Sequence, residues 1–301
     1  MDDRKALLIL HGKQALNEAV RQAVQAQREQ GWDLAVRLTW EAGDAQRLVA
    51  EALAAGYRTL VAGGGDGTLR DIAEALAHAP EAQRASLVLL PLGTANDFAR
   101  AAQVPLEPGE ALKLLAAPAR PIDLGEADGE IFLNMATGGF GSQVTANTSE
   151  DLKKVLGGAA YLFTGLSRFS ELTAAHARLN GPGFTWEGEL LALGIGNGRQ
   201  AGGGHVLCPE ATVDDGLLDV SILPAPRDMI GGLKDLLAGG LAIDKLFVRA
   251  RLPWVDVHCG QGMDMNLDGE PVQRRELRFK ARRQALRVHL PAQCPLLSAP
   301  G

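Results

Sequence analysis

Residues 57–78 read YRTLVAGGGDGTLRDIAEALAH, and the fold of the first half of the chain follows from them. Leu60-Val61-Ala62 is a short apolar run of the kind that fills a buried strand. Gly63, Gly64, Gly65, Asp66, Gly67 and Thr68 follow. Leu69, Ile72, Ala73 and Leu76 then fall at the i, i+3, i+4, i+7 spacing of one helix face. The order is strand, glycine loop, helix. Amides at the helix start converge where the helix dipole is positive, which suits an anion. Glycines let a phosphate approach the backbone without obstruction by Cβ. The loop has no Lys-Ser or Lys-Thr pair, so it is not a Walker A loop, and Gly63, Gly65, Gly67 depart from G-x-G-x-x-G. Asp66 is the odd residue, a carboxylate where phosphate should sit. Two anions about 4 Å apart repel by roughly 4 kcal/mol at an intermediate dielectric. A functional Asp66 therefore implies a divalent cation, or a hydroxyl or amide that it holds. The plainer reading is a tight turn whose acid caps the helix.

Outward from this unit the grammar repeats. Residues 6–10 (ALLIL) read as a buried parallel strand ending at His11-Gly12-Lys13. A helix over 14–30 carries Leu16, Ala19, Val20, Ala23 and Val24, and Gly31 closes it. Residues 34–40 alternate, with Leu34, Val36, Leu38 and Trp40 on one strand face. Asp44 is the expected N-cap of a helix with Leu48, Val49, Ala52 and Leu53 on its apolar side, ending at Gly56. Residues 86–90 (SLVLL) form another strand leading into PLGTANDFAR at 91–100. This alternation gives a doubly wound parallel sheet. Ligands of such sheets bind beyond the carboxyl ends of the strands, where both glycine-bearing turns and Thr39 lie. Thr39 reads equally well as a solvent-facing strand end.

From about residue 120 short strand-like runs take over: 131–137, 189–196, 217–223, 254–258, 263–267 and 276–290, with Asp268-Gly269 as a hairpin turn. The expectation is an α/β nucleotide-binding domain over 1–130 and a mostly antiparallel β-sandwich over 131–301, whose C-terminal tail is a candidate to return to the first domain. Residues 151–172 (DLKKVLGGAAYLFTGLSRFSEL) read as helix with apolar residues all round, which is either buried or touches lipid.

The chain of 301 residues has 46% hydrophobic and 22% charged residues, an ordinary globular composition. A net charge of −6 argues against a nucleic-acid partner or a membrane anchor made of charge alone. Cys208, Cys259 and Cys294 form no C-x-x-C pair and suit a reducing compartment. The apolar run at 6–10 is too short for a signal peptide or a span, so the expected location is the cytoplasm, with peripheral contact at the inner membrane surface. The six histidines show no paired ligand spacing for zinc, and no serine lies in G-x-S-x-G.

GGGDGT at 63–68 with PLGTANDFA at 91–99 resembles the diacylglycerol-kinase catalytic family, and within it the YegS-like bacterial lipid kinases. RLTWEAGDA at 37–45, NMATGGFG at 134–141, GIGNGRQAGGG at 194–204, DDGLLDV at 214–220 and NLDGEP at 266–271 extend the match over nearly the whole chain. The resemblance implies ATP bound in a cleft between an α/β and a β-sandwich domain, with phosphate passed to a lipid hydroxyl. By residue-wise transfer the nucleotide site is Thr39, Gly65, Asp66, Gly67, Thr68, Leu69, Arg70, Asp71, Thr94, Asn96 and Asp97. Arg70-Asp71 replaces the family's frequent Asn-Glu, and Arg70 is expected on the exposed helix face. The metal site maps to Asp215 with the backbone carbonyls of Thr212 and Leu217, hard oxygen donors that suit Mg²⁺ and also Ca²⁺. Asp97 is a further acid that would reach a metal through water. Glu270 maps to the base that accepts the hydroxyl proton, with Asp66 sharing the activation. Read without the family, Asp214-Asp215-Gly216 is a turn and Glu270 a surface acid. The implied partners are ATP and a membrane lipid met at a membrane surface. The competing functions are an NAD kinase-like enzyme and a non-catalytic nucleotide- or lipid-binding protein. Neither head-group choice nor oligomeric state is written in the sequence.

Overall fold

A computed structural model describes residues 4–139, 174–225 and 246–298; the apolar stretch 151–172 lies outside the described residues. The elements in chain order are β1 (Lys5–His11), α1 (Glu18–Glu29), β2 (Asp33–Thr39), α2 (Asp44–Ala54), β3 (Thr59–Gly64), α3 (Asp66–His78), β4 (Ser86–Pro91), α4 (Asp97–Ala101), α5 (Pro108–Leu112), β5 (Ala119–Ala127), β6 (Glu130–Phe132), β7 (Met135–Gly139), β8 (Ala175–Gly181), β9 (Phe184–Gly196), β10 (Gln200–Ala201), β11 (His205–Val206), β12 (Leu218–Pro224), β13 (Val248–Leu252), β14 (Trp254–Leu267) and β15 (Glu270–His289). They fall into two compact units. One is Met1–Leu124, Thr212–Gly216 and Arg282–Gly301, and the other is Gly125–Ala211 and Leu217–Ala281.

The first unit is the doubly wound parallel sheet. Its order is β2-β1-β3-β4, with Val288 of β15 parallel to Leu87 of β4. The strands are apolar on both faces because helices cover both. Leu8, Leu10, Val61, Val88 and Leu90 pack with Val20 and Val24 of α1 and Leu112 and Leu115 around α5. α2 packs against α3. Each fully buried Leu or Val contributes about 1.5–3 kcal/mol relative to exposure.

Four local expectations are corrected here. α1 starts at Glu18, not near 14, because the Asn17 side chain accepts the Val20 amide at 3.3 Å and caps the helix; Leu16 lies ahead of it, 83% exposed. Leu34 is buried, but Leu38 and Trp40 are exposed, Trp40 by 93%, because β2 is the edge strand of this sheet. Asp44 stands inside α2 behind Gly43. Its carboxylate accepts the amides of Trp40 and Glu41 at 2.7 and 3.1 Å, so it fixes the approach to the helix and leaves the helix's own amides alone. Arg70 is 7% exposed, not surface-lying, since α3 buries a wide arc that also holds Leu69, Ile72, Ala73, Leu76 and Ala77.

The second unit is mostly antiparallel. β13-β12-β9-β7-β14-β15 lie in that order, and β8 also joins β9 to β14, so β7 and β8 bridge the same two strands at different places along them. The core holds Leu179, Leu193, Ile195, Val220, Ile222 and Phe279, with Phe132 and Phe279 meeting edge to face at 6.3 Å. The runs 254–258 and 263–267 are one strand with a register shift between His258 and Met263. The run 131–137, in contrast, is broken between β6 and β7.

Candidate active site

Beyond the carboxyl ends of β1 to β4 the backbone turns four times in a small space. Thr39, at the end of β2, lies opposite His11, and its carbonyl oxygen fills the place where a side chain on Gly12 would go. Gly64 pairs with Pro91, the Leu92 amide donates to the Gly64 carbonyl at 2.8 Å, and the Gln14 side chain donates to the Leu92 carbonyl at 3.1 Å.

The glycines divide into those the protein needs and one it does not. A Cβ on Gly63 would meet Leu8 and Leu10 at 2.8 and 2.9 Å, and one on Gly64 would overlap the Thr68 side chain. A Cβ on Gly93 would stand 2.5 Å from the Gly65 Cα, so the two glycine turns touch backbone to backbone. Gly67 is different: it is exposed, and an added Cβ meets nothing within 4 Å. Its lack of a side chain serves open space in front of the first turn of α3.

Asp66 is half-buried, and its carboxylate accepts the backbone amides of Asn96, Asp97 and Phe98 at the start of α4. Burial, and then the Asp97 charge, push its carboxyl above the usual range, while the three amides pull it back. Of the two expected partners for this acid, the protein itself supplies amides, from the second glycine turn. Asn96, left-handed at φ +50°, closes that turn by accepting the Gly93 amide at 2.9 Å and donating to the Gly93 carbonyl at 2.8 Å. Thr94 is exposed at its tip, whereas Asp97 is buried. The structure therefore brings Thr39, residues 65–71, Thr94, Asn96 and Asp97 to one rim of the first unit.

The 212–216 loop belongs to the same unit. The Thr212 hydroxyl donates to Asp215 Oδ2 at 2.7 Å. Asp123, 1% exposed on β5, accepts the Gly216 amide at 2.6 Å and the Gln284 amide at 2.7 Å. Burial raises its carboxyl above the usual range and the Asp215 charge adds to that rise, so the two acids lie within electrostatic reach. Among the described residues no group of three or more His, Cys, Asp or Glu side chains gathers for a metal. The set that the resemblance implies here is one carboxylate, Asp215, with the backbone carbonyls of Thr212 and Leu217. That is hard-oxygen chemistry of the kind Mg²⁺ and Ca²⁺ take. Asp123 was not anticipated. An aspartate inside the apolar run PIDLG was its sequence signal.

Glu270 opens β15 in the second unit, exposed and paired in register with Leu267 across the hairpin. The turn between them has Asp268 at φ +49° and Gly269 at φ +107°, both left-handed, as a two-residue hairpin loop requires. The Asp268 carboxylate does not stay in its own turn. It accepts the amides of Leu133 (2.6 Å), Asn134 (3.1 and 3.2 Å) and Met135 (2.9 Å). The break between β6 and β7 falls at Leu133 and Asn134, two of the three residues whose amides turn to this acid. Among the described residues no helix is long and apolar enough to cross a membrane.

The comparisons with known proteins bear on both units. Residues 5–127 match the diacylglycerol kinase catalytic domain, and residues 134–290 the YegS C-terminal NAD kinase beta sandwich-like domain. A "Probable lipid kinase YegS-like" of Pseudomonas fluorescens (strain Pf0-1) is 76% identical over 99% of this chain and 97% of its own length. One of Pseudomonas aeruginosa PAO1 is 70% identical over 100% and 99%. A crystal structure of a "putative diacylglycerol kinase" from Bacillus anthracis str. Sterne superposes with a TM-score of 0.80 over 97% of this chain and 96% of that one; at 24% identity it speaks to the fold. The α/β unit and the β-sandwich unit are those of this family, and the chain belongs to the YegS-like lipid kinases of the diacylglycerol kinase catalytic family.

Proposed function

We propose that the protein transfers the γ-phosphate of ATP to the hydroxyl of a glycerolipid, phosphatidylglycerol- or diacylglycerol-like, with Glu270 as proton acceptor. The acceptor oxygen forms a bond to the γ-phosphorus, the bond from that phosphorus to the β–γ bridging oxygen breaks, ADP leaves, and the hydroxyl proton passes to Glu270. The observation that carries the reading is the open ground at Gly67, the loop glycine whose missing side chain no neighbouring atom explains. The phosphates would lie there, against the first turn of α3, with Thr39, Thr94 and Asn96 around the nucleotide. Arg70 is buried on α3 and, with the rest of residues 65–71, belongs to the proposed nucleotide site. Asp66 holds the start of α4 in place and presents Asp97 beside it. Asp71 stays in the proposed set on the family match alone.

A divalent cation, Mg²⁺ or Ca²⁺, would be held by Asp215 and the carbonyls of Thr212 and Leu217, where it would supply positive charge. Asp123 fixes the loop that carries Asp215 by gripping the Gly216 amide. The lipid acceptor implies that the enzyme works at a membrane surface.

The test is a transfer assay with γ-labelled ATP, Mg²⁺ or Ca²⁺, and vesicles of phosphatidylglycerol, diacylglycerol or sphingoid lipid, with NAD as a soluble acceptor alongside. Label should enter a glycerolipid and depend on the cation. Label entering NAD and no lipid would overturn the reading in favour of a soluble acceptor.

A further inference from the structure

Three consecutive backbone amides pointing at one place make an anion-binding nest. The segment 133–135 is such a nest, and its occupant is the carboxylate of Asp268, through four contacts of 2.6 to 3.2 Å. The same segment is held from its carbonyl side. The buried Asn197 side chain donates to the Leu133 carbonyl at 2.7 Å, and the amides of Asn197 and Gly198 donate to the Asn134 carbonyl at 3.0 and 2.7 Å. Asp268 also donates its own amide to the Met135 carbonyl at 3.1 Å, and Asn266 accepts the Gly269 amide at 2.7 Å. The turn 266–269 is thus clamped to a backbone that is itself fixed on both sides. Glu270 is the next residue, and its side chain is exposed.

A left-handed pair such as Asp268-Gly269 needs only Asp, Asn or Gly in its first place. The turn does not explain why that residue should be a carboxylate engaged with three amides of another strand. We propose that Asp268 is a positioning residue: its grip on the 133–135 amides sets the direction in which Glu270 presents its carboxylate to the lipid hydroxyl. A base must sit within hydrogen-bond reach of its proton, and a displacement of about 1 Å is able to cost on the order of 10²-fold in rate. An exposed glutamate on a free hairpin tip would have no such constraint. This inference rests on the proton-acceptor reading of Glu270.

Asp268→Asn separates the clamp from the turn. Asn-Gly is a favoured hairpin pair, so the turn persists. One carboxylate oxygen becomes an NH₂ group facing amide donors, so the clamp opens. In the lipid-transfer assay kcat should fall about 10- to 100-fold, with KM for ATP within about twofold of the parent. Asp268→Gly, which keeps the left-handed turn and deletes the clamp, should fall at least as far. The decisive readout is the double variant with Glu270→Gln. If Asp268 acts through Glu270, adding Asp268→Asn to Glu270→Gln should change the residual rate by less than about twofold, since groups acting as a unit are not additive. An undiminished kcat in Asp268→Asn, with Glu270→Gln collapsed, overturns this inference and leaves the base in place. So does a full additional loss in the double variant. A fully active Glu270→Gln removes the proton-acceptor reading itself and this inference with it. Loss of ATP binding and of a cooperative melt in both Asp268 variants would make Asp268 a folding residue, which also overturns it.

Discussion

Two turns of this molecule use the same device to different ends. At the rim of the parallel sheet, Asp66 leaves its own loop and binds the amides that open α4. In the second unit, Asp268 leaves its hairpin and binds the amides of 133–135. Both acids staple one backbone segment to another far away in sequence. The difference lies in what stays open. At the rim the glycine turns press together at Gly65 and Gly93, and the uncovered place is backbone, at Gly67. At the hairpin the amides of 133–135 are taken up by Asp268, and the exposed side chain beside them is Glu270. In the function proposed above, the first arrangement would serve a ligand rich in charge and the second a proton acceptor.

That contrast predicts unlike failures. The largest effect belongs to Glu270→Gln. General-base catalysis is worth roughly 10²–10⁴-fold, and kcat for lipid phosphorylation should drop by that much, while ATP protects the variant from thermal unfolding as it does the parent. A variant with unaltered turnover would leave the hairpin with no role in proton transfer. Next comes Gly93→Ala, whose Cβ would lie 2.5 Å from the Gly65 Cα, backbone against backbone, with neither side able to swing away. Overpacking of this kind costs about 1–3 kcal/mol, and at roughly 2–4 °C for each kcal/mol it should show in a melting curve. The stabilisation by ATP should vanish with it. A variant that melts normally and still responds to ATP would mean the two turns need not touch.

Asp66→Asn should reduce turnover and change the pH dependence of stability, and the sign of that change follows from the environment of Asp66. The folded state raises this carboxyl, through burial first and Asp97 second. The stability it contributes is therefore present below the unfolded value, near 3.8, and is lost as pH rises through the higher folded one. Asp44 has the opposite sign: its carboxyl is lowered to about 2, first by Arg47 and then by the Trp40 and Glu41 amides, and its contribution is lost only as pH falls from near 3.8 toward that value. At neutral pH Asp66 is a charge the fold would rather not hold. The asparagine variant should show a flatter rise in stability on mild acidification than the parent, measured by differential scanning fluorimetry from pH 4 to 8. A rise in stability on acidification as steep as the parent's would show that Asp66 is not the group responsible.

The strand–loop–helix unit at 57–78 was readable because local pattern and final structure agree: Leu60 to Ala62 are buried in β3, and Leu69, Ile72, Ala73 and Leu76 face inward from α3. The alternation of strands and helices carried the whole parallel sheet for the same reason. Periodicity failed where the answer depended on a neighbour. Trp40 continues the alternation of Leu34 and Val36, yet β2 is an edge strand and its end has no cover. Arg70 has the composition of a surface residue and is enclosed by an unusually wide buried arc. The grip of Asp268 on residue 133 spans 135 positions of chain, and that of Asp123 on Gly216 spans 93. No window of sequence contains both partners. The motif letters at 63–68, 91–99 and 266–271 fall on turns, but they did not say that Asp66 and Asp268 would be taken up by backbone amides.

The smallest structural effect, and the finest probe of the contrast, is Gly67→Ala. This glycine has no left-handed φ, sits in the first turn of α3, and has nothing within 4 Å of an added Cβ. Replacing a helical glycine by alanine at an unstrained position usually stabilises, by about 0.4–1 kcal/mol. The apo protein should thus melt at the same temperature as the parent or slightly higher. If the phosphates lie against this turn, the methyl group intrudes on them, and the affinity for ATP, read by titration calorimetry, should weaken several-fold. Gly67→Ala and Gly93→Ala then form a pair: one alanine harms the ligand and spares the fold, the other harms the fold and the ligand together. Should Gly67→Ala bind ATP as tightly as the parent, the open ground before α3 is not where the triphosphate lies, and the distinction between an anion-binding rim and a base-presenting hairpin loses its first half.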